Sequence, residues 1–541
     1  MSNDTALERL ADAILIPPFP GTTAPRWLLD ALYRGLAGVT LFAPNMAAGP
    51  ETLTALTRSL HAAAPDLVVA TDEEGGDVTR VWYDTGSPYP GNAALGAVDD
   101  VELTERVHAA IGADLAALGI NLDLAPCLDV LSAADNPVVG TRSFGADPAL
   151  VARHGAAAVR GLQSAGVAAC AKHFPGHGAT LLDSHFELAV VPDGLDVVEA
   201  RDLPPFRAAL TAGVLTVMPG HLRVAGLTGD LPASLSAAAI SLLRATLKFD
   251  GVVVSDALEM RAVSDAYGIP GAAVRAVLAG NDLLCLGRDV PEEGYLAVRA
   301  ALRDAVRSGE LPAARLEEAA ARVAALRARL ARMRTGPAAD GGAGDSEGVA
   351  STARSAATPP ADDSQAASRD SGSPAGRTAI GLVAARRALR VTGARPELRD
   401  PMVVEVESLP NMAAGEARWG LASWAPTGGS RRLPAAPDPA RSAAIALKAA
   451  AGRSLVLVVR DAHRSLATQH LVTAVLAERP DTVLVEMGLP YWRPPEGTCQ
   501  TYLATFGASR ANAQAAAEFL GLTASALRPA PRQVNGPFTL P

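Results

Sequence analysis

Eight short apolar runs punctuate residues 1–334, at positions 13–16, 38–42, 67–71, 121–125, 167–171, 214–218, 251–255 and 282–286. Longer, Ala-rich, helix-compatible stretches separate them. The runs are continuously apolar and do not alternate with polar residues, as strands buried on both faces must be. A parallel sheet covered by helices follows, and eight βα units predict a TIM-like (β/α)8 barrel. An open doubly wound sheet is the competing arrangement, and counting alone does not exclude it. The residues after the runs are more telling. Asn45, Asp72 with Glu73, Glu74, Gly75 and Gly76, Asp129, Lys172 with His173, His221, and Asp256 each follow a run. Polar groups at strand carboxyl ends are where this barrel builds its active site.

Residues 335–378 are dominated by Ala, Gly, Ser, Asp, Pro and Thr. Such a stretch cannot bury enough apolar surface to offset its ordering entropy, so it is expected to be a disordered linker. It divides the chain into an N-terminal body, 1–334, and a C-terminal part, 379–541. The latter has strand-like runs at 454–459 and 482–486, with helical segments near 440–450, 466–476 and 512–520. This pattern predicts a smaller α/β domain with a parallel sheet. Nothing in it gathers His, Asp and Glu densely enough to nominate a site.

Composition narrows the function classes. The 541 residues are 49% hydrophobic, ample for large cores, and the formal net charge is −9. That balance argues against nucleic-acid binding and against anionic membranes. Cys127, Cys170, Cys285 and Cys499 are isolated, as expected of reduced thiols. Met1, Ser2, Asn3 and Asp4 do not resemble a secretory leader, and no uninterrupted apolar run of about 18 residues predicts a membrane span. The expectation is a soluble cytoplasmic protein without membrane insertion.

The densest chemistry lies at 172–185, where Lys172, His173, His177, Asp183 and His185 share a loop shaped by Gly and Pro. Asp183 and His185 are one residue apart, so in extended backbone their side chains lie on one side. A carboxylate beside an imidazole orients the ring and stabilises its charged form, which suits proton transfer. Metal ligation and structural hydrogen bonding remain open for the same residues, although the spacing matches no standard zinc pattern. Asp256 ends the apolar run Val252-Val253-Val254-Ser255. It is either a helix N-cap or a nucleophilic carboxylate aimed into the barrel mouth. Asp72 precedes a Gly pair that lets backbone approach a ligand; it can accept bonds from paired hydroxyls or be a solvated turn acid. Arg142 is either a clamp for an anionic or hydroxylated group or an ordinary surface Arg.

Together these segments resemble glycoside hydrolase family 3, in particular its β-N-acetylglucosaminidase branch. The matching pieces run in the family's order: D-x-E-G-G-x-V-x-R at 72–80, N-P-V-V-G-T-R-S-F-G at 136–145, K-H-F-P-G-H-G-x-T-x-x-D-S-H at 172–185 and S-D-A-L-E-M at 255–260. The third is highly specific, and its D-S-H ending marks the hexosaminidase branch. The segment from Thr501 to Gly507 is similar, more loosely, to the family's second domain. The resemblance implies a TIM-like barrel followed by an α/β sandwich domain. It also implies Asp256 as nucleophile and His185 with Asp183 as acid/base dyad. Asp72, Arg80, Arg142, Lys172, His173 and His221 are the expected sugar-holding residues. The implied reaction is retaining hydrolysis of a terminal β-linked N-acetylglucosamine, on an amino-sugar oligosaccharide or muropeptide, with no cofactor and no metal. A free imidazole titrates near pH 6.5, so a histidine suits the acid/base role without the upward shift that Glu needs. Phosphorolysis, mixed β-glucosidase specificity and a non-catalytic carbohydrate-binding module are the alternatives. Asp77 stands where the family often has Arg, and Ala257 where Asp is frequent. His177 is left without an assigned role beyond shaping the loop.

Overall fold

A computed structural model describes residues 3–335, 373–408, 413–415, 419–434 and 438–522. In its N-terminal part the strands are β1 Leu15–Ile16, β2 Gly38–Thr40, β3 Val68–Thr71, β4 Leu122–Asp123, β5 Ala168–Phe174, β6 Ala189–Val191, β7 Thr216–Pro219, β8 Leu222–Val224, β9 Val252–Val253 and β10 Leu284–Cys285. All eight expected runs carry a strand. Six of them form one parallel sheet in the order β2-β3-β4-β5-β7-β9, and β1 pairs with β10. A parallel bridge between Val254 and Leu283 joins β9 to β10. On the other side, Ala37 N–H bonds Asp12 O at 2.9 Å and Thr40 N–H bonds Pro17 O at 3.2 Å, joining β1 to β2. The ring therefore closes on itself, as a TIM-like barrel requires and an open sheet does not.

Burial explains why these runs become strands and the Ala-rich stretches helices. Almost every residue of the barrel strands is fully buried, so each is packed on both faces. The intervening helices begin at local signals. Asp100 caps Val101–Ala117 through Leu103 N–H, and Asp147 caps Pro148–Ser164 through Ala149 and Leu150 N–H. Strands β6 and β8 are extra. They pair in parallel and bury Ala189, Val191, Val198, Leu222 and Val224 in a small satellite core. This core tethers the far end of the loop that leaves β5.

The second unit begins earlier than composition implied. Ser373 Oγ accepts a hydrogen bond from Gly376 N–H at 3.1 Å, capping a helix over Pro374–Ala388. A Ser N-cap with Pro in the first turn is a helix start, hidden here in an Ala/Gly/Ser/Pro-rich stretch. The end of the expected linker is thus helical, while its portion at 336–372 lies outside the described residues.

Beyond this helix come β11 Arg390–Gly393, β12 Met402–Val406, β13 Ser430–Leu433, β14 Leu455–Val459, β15 Val483–Glu486 and β16 Thr501–Ala504. Their order is β11-β16-β15-β14-β12-β13, all parallel except β11, which runs antiparallel along the edge. Alternate residues of β14 feed two cores. Leu455, Leu457 and Val459 face helices Pro439–Ala449 and Leu466–Glu478, whereas Val456 and Val458 face helix Arg510–Leu520. Helices on both faces of one sheet make the α/β sandwich. The edge strands β11 and β13 are largely exposed and polar, so no apolar run announces them.

Candidate active site

The carboxyl ends of the barrel strands open into a cavity of about 720 Å³, whose wall includes Asp72, Arg80, Arg142, Lys172, His173, His185 and Asp256. Strand β5 runs further than its apolar run and carries Lys172 and His173 at its end. Neighbours on a regular strand point to opposite faces. Here the register against β7 shifts between Lys172 and Phe174, and both Lys172 and His173 line the cavity.

Opposite charges alternate along the floor. Lys172 Nζ lies 2.8 Å from Asp72 Oδ1 and 2.7 Å from Glu74 Oε1. Glu74 also receives Arg142 through both oxygens, at 2.9 and 2.7 Å. Arg80 stands 3.8 Å from Asp72 Oδ2. Burial alone would raise the carboxyl of Glu74, but the Arg142 and Lys172 cations outweigh it and hold the group well below its ordinary range. Asp72 is likewise lowered, with burial opposed by Lys172 and Arg80. For Lys172, burial is overcome by Asp72 and Glu74, and the ammonium stays charged.

Asp129, at the end of the β4 segment, organises the neighbouring wall. Its Oδ1 accepts His177 N–H at 2.7 Å and its Oδ2 accepts His173 Nδ1–H at 2.7 Å. Arg142 Nη2 also lies 3.3 Å from His173 Nε2. Cys127, Asp129 and His173 are the one group among the described residues compact enough to hold a metal, their ligand atoms lying within 4.8 Å. Each is already engaged: Cys127 Sγ–H also donates to Asp129 Oδ2, at 3.1 Å.

The Asp183–His185 pair forms, but not through extended backbone. Phe186 and Glu187 N–H both bond Asp183 O, so the segment is a turn. Asp183 Oδ1 receives His185 N–H at 2.9 Å and His185 Nδ1–H at 2.7 Å. With Nδ1 so committed, Nε2 is the nitrogen left to the cavity. Burial raises the Asp183 carboxyl, and His185 lowers it further than that. His177 sits behind the pair. Its Nδ1 lies 2.7 Å from Thr180 Oγ1 and its Nε2 lies 3.0 Å from Ser184 Oγ, and burial lowers its pKa to about 4. Asn136 completes this buttress by donating to His177 O at 2.9 Å and Thr180 O at 3.0 Å.

Asp256 does not cap the next helix, which begins only at Arg261; its Oδ1 accepts the neighbouring Ala257 N–H at 2.8 Å. Burial raises its carboxyl, but His221, His173 and the Ala257 N–H together lower it below the ordinary value, so it is ionised. His221, expected to touch the sugar, does not line the cavity. It is fully buried, its Nδ1 2.6 Å from Ser234 Oγ and its Nε2–H donating to Ala257 O at 2.9 Å. With Nδ1 engaged by Ser234 and Nε2 by Ala257, beside Asp256, His221 ties the loop carrying Asp256 to the turn after β8 from behind. Sequence reasoning placed Glu74 and Asp129 at the strand ends but gave neither a role in the site. Their signal was their place just after strands β3 and β4, but the partners that give them a role lie elsewhere in the chain.

Residues 23–326 match the glycosyl hydrolase family 3 N terminal domain. The chain belongs to glycosyl hydrolase family 3. Within this family it is 41% identical over 269 residues to beta-hexosaminidase LpqI of Mycobacterium tuberculosis, covering 48% of this chain and 68% of that protein. It is 33% identical over 337 residues to beta-hexosaminidase A of Pseudoalteromonas piscicida, covering 57% of this chain and 56% of that one. A solved family 3 beta-N-acetylglucosaminidase from Paenibacillus sp. str. FPU-7 superposes with a TM-score of 0.77 at 31% identity, covering 96% of this chain and 97% of that one. That match takes in both domains. Among the described residues, no helix is long and apolar enough to cross a membrane.

Proposed function

We propose that this family 3 chain is a retaining exo-β-N-acetylglucosaminidase, with Asp256 as nucleophile and His185, paired to Asp183, as acid/base. The observation that carries this reading is that Asp256 and the ring of His185 line one cavity of about 720 Å³. A space of that order suits one sugar and part of its neighbour. The floor of Asp72, Arg80, Arg142, Lys172 and His173 offers charged donors and acceptors to the hydroxyls of the terminal residue. Relatives that are beta-hexosaminidases and a beta-N-acetylglucosaminidase support the amino-sugar specificity.

In the first step an Asp256 oxygen attacks the anomeric carbon as its bond to the glycosidic oxygen breaks. His185 Nε2 gives its proton to that oxygen, and the aglycone leaves as an alcohol. In the second step His185 takes a proton from water, and the resulting oxygen displaces Asp256 from the anomeric carbon. Two displacements restore the β configuration and return both groups to their starting states. Asp183 holds the ring and balances its charge when protonated. The substrates are β-linked amino-sugar oligosaccharides or muropeptide fragments. The four free cysteines fit action in the reducing cytoplasm.

Asp256→Ala should abolish hydrolysis of an aryl β-N-acetylglucosaminide, and proton NMR of the wild-type reaction should show the β-anomer first. Near-normal turnover by the variant refutes the nucleophile, and first release of the α-anomer refutes retention. One observation favours a second reading, phosphorolysis: an imidazole acid/base repels phosphate less than a carboxylate does. Sugar 1-phosphate formed in phosphate buffer would decide for it.

A further inference from the structure

In open α/β sheets, ligands sit outside the strand carboxyl ends, at the point where strand order reverses. In the C-terminal domain that point lies between β12 and β14, because the chain steps from β12 outward to β13 and then back across to β14. The barrel occupies this crevice. Arg460, directly after β14, places Nη2 2.7 Å from Asp77 Oδ2. Ala508, after β16, donates its N–H to Asp77 Oδ1 at 2.8 Å. From the barrel itself, Thr141 Oγ1 donates to Asp77 Oδ2 at 2.6 Å. The Asp77 side chain is only 2% exposed, so this one carboxylate is a buried three-way junction.

Its position in sequence gives the junction a consequence. Asp77 stands between Glu74 and Arg80 on the β3 loop, and Thr141 adjoins Arg142 on the loop after β4. Beside it, Ala413, which follows β12, accepts Arg80 Nη2–H at 3.0 Å, and both Ala413 and Gly415 border the cavity. We propose that Asp77 is held as a ligand by the crevice of the C-terminal domain, and that through it this domain positions the two barrel loops bearing Asp72, Glu74, Arg80 and Arg142. Asp77 and Arg460 are positioning residues; neither lines the cavity. The kinetic part of the inference rests on reading the cavity as the sugar site. The coupling of the loops to the domain does not.

The domain is also anchored away from the cavity, where Arg377 binds Asp114 at 2.6 Å and Arg387 binds Asp100 at 2.7 Å. Removing Arg460 should therefore leave the two units docked. In full-length Arg460→Met, amide hydrogen exchange should quicken in residues 72–80 and 136–145 and stay unchanged in the barrel strands. On an aryl β-N-acetylglucosaminide, KM should rise on the order of tenfold while kcat stays within about threefold. Arg460→Lys, which retains a cation for Asp77, should recover most of the affinity. Unchanged exchange in both loops, or an unchanged KM in active Arg460→Met, overturns the proposal. So does a loss of kcat that merely tracks a fall in folded fraction. Should Arg460→Met not fold, Asp77→Asn carries the same expectations, since its one oxygen still accepts Ala508 N–H while its amide faces Arg460 and the Thr141 hydroxyl, which is able to accept. A wild type inactive on every aryl glycoside would sink the functional reading, while exchange would still decide the coupling.

Discussion

Glu74→Gln tests the electrostatic frame of the cavity floor. Glu74 is 2% exposed and binds two cations, Arg142 at 2.7 Å and Lys172 at 2.7 Å, whose side chains are only 6% and 3% exposed. Removing its charge leaves a buried positive excess, and breaking a buried pair from one side costs about 3–5 kcal/mol. The lower end applies, because Gln keeps an oxygen for Arg142 and Asp72 still pairs with Lys172. Unfolding entropy of about 2.1 cal/mol/K per residue, over a barrel of about 330 residues, comes to about 0.7 kcal/mol/K. A loss of about 3 kcal/mol thus lowers Tm by about 4 °C at neutral pH. With Arg142 and Lys172 no longer held in register, kcat/KM should fall on the order of a hundredfold. The pH dependence follows from the lowered carboxyl. A carboxylate whose folded pKa is depressed contributes its stability above the unfolded value, about 4.5, and loses it as pH falls toward the folded value. Scanning calorimetry on both proteins should therefore show a constant gap above about pH 5 that narrows below pH 4. A Tm change under about 1 °C at pH 7, or a gap that widens in acid, would refute the reasoning.

Other perturbations separate the remaining roles. His185→Ala should lose far more activity on a sugar aglycone than on a nitrophenyl one, since only the former needs a proton to leave; equal losses in steady-state kinetics would count against an acid. Asn136→Ala strips the buried bonds to His177 O and Thr180 O and should cost about 2 kcal/mol by denaturant titration, with activity falling as the dyad loop loosens. Burial lifts Glu73 to about 7, above its ordinary 4.5. The folded protein then keeps a proton that the unfolded chain gives up, so stability falls as pH rises from about 4.5 through 7. Glu73→Gln should flatten that fall in a series of melting curves, and an unchanged slope would contradict the assignment.

Much of the fold was legible because it depends on short-range pattern. The eight apolar runs became barrel strands where they stood, since a strand buried on both faces has to be continuously apolar. The polar residues following them arrived at one mouth because parallel strands all end on the same side. Edge strands β11 and β13 escaped notice because exposure frees them from any apolar pattern. The helix at Pro374–Ala388 escaped because its composition is that of a linker and only its Ser373 cap betrays it.

The sequence by itself therefore determined the barrel, the strand-end polar set and the dyad's neighbourhood, all through periodicity and local spacing. What tertiary structure alone decided were the partnerships. Glu74 finds Arg142 across 68 positions, Asp129 finds His173 across 44, and Asp77 finds Arg460 across 383. His221 follows its strand as expected, yet barrel closure turns it onto Ser234 and Ala257 and away from the cavity. Residue type states which bonds a side chain is able to make. Chain closure and burial select which partner lies within 3 Å, and burial also sets how strongly each charge needs that partner.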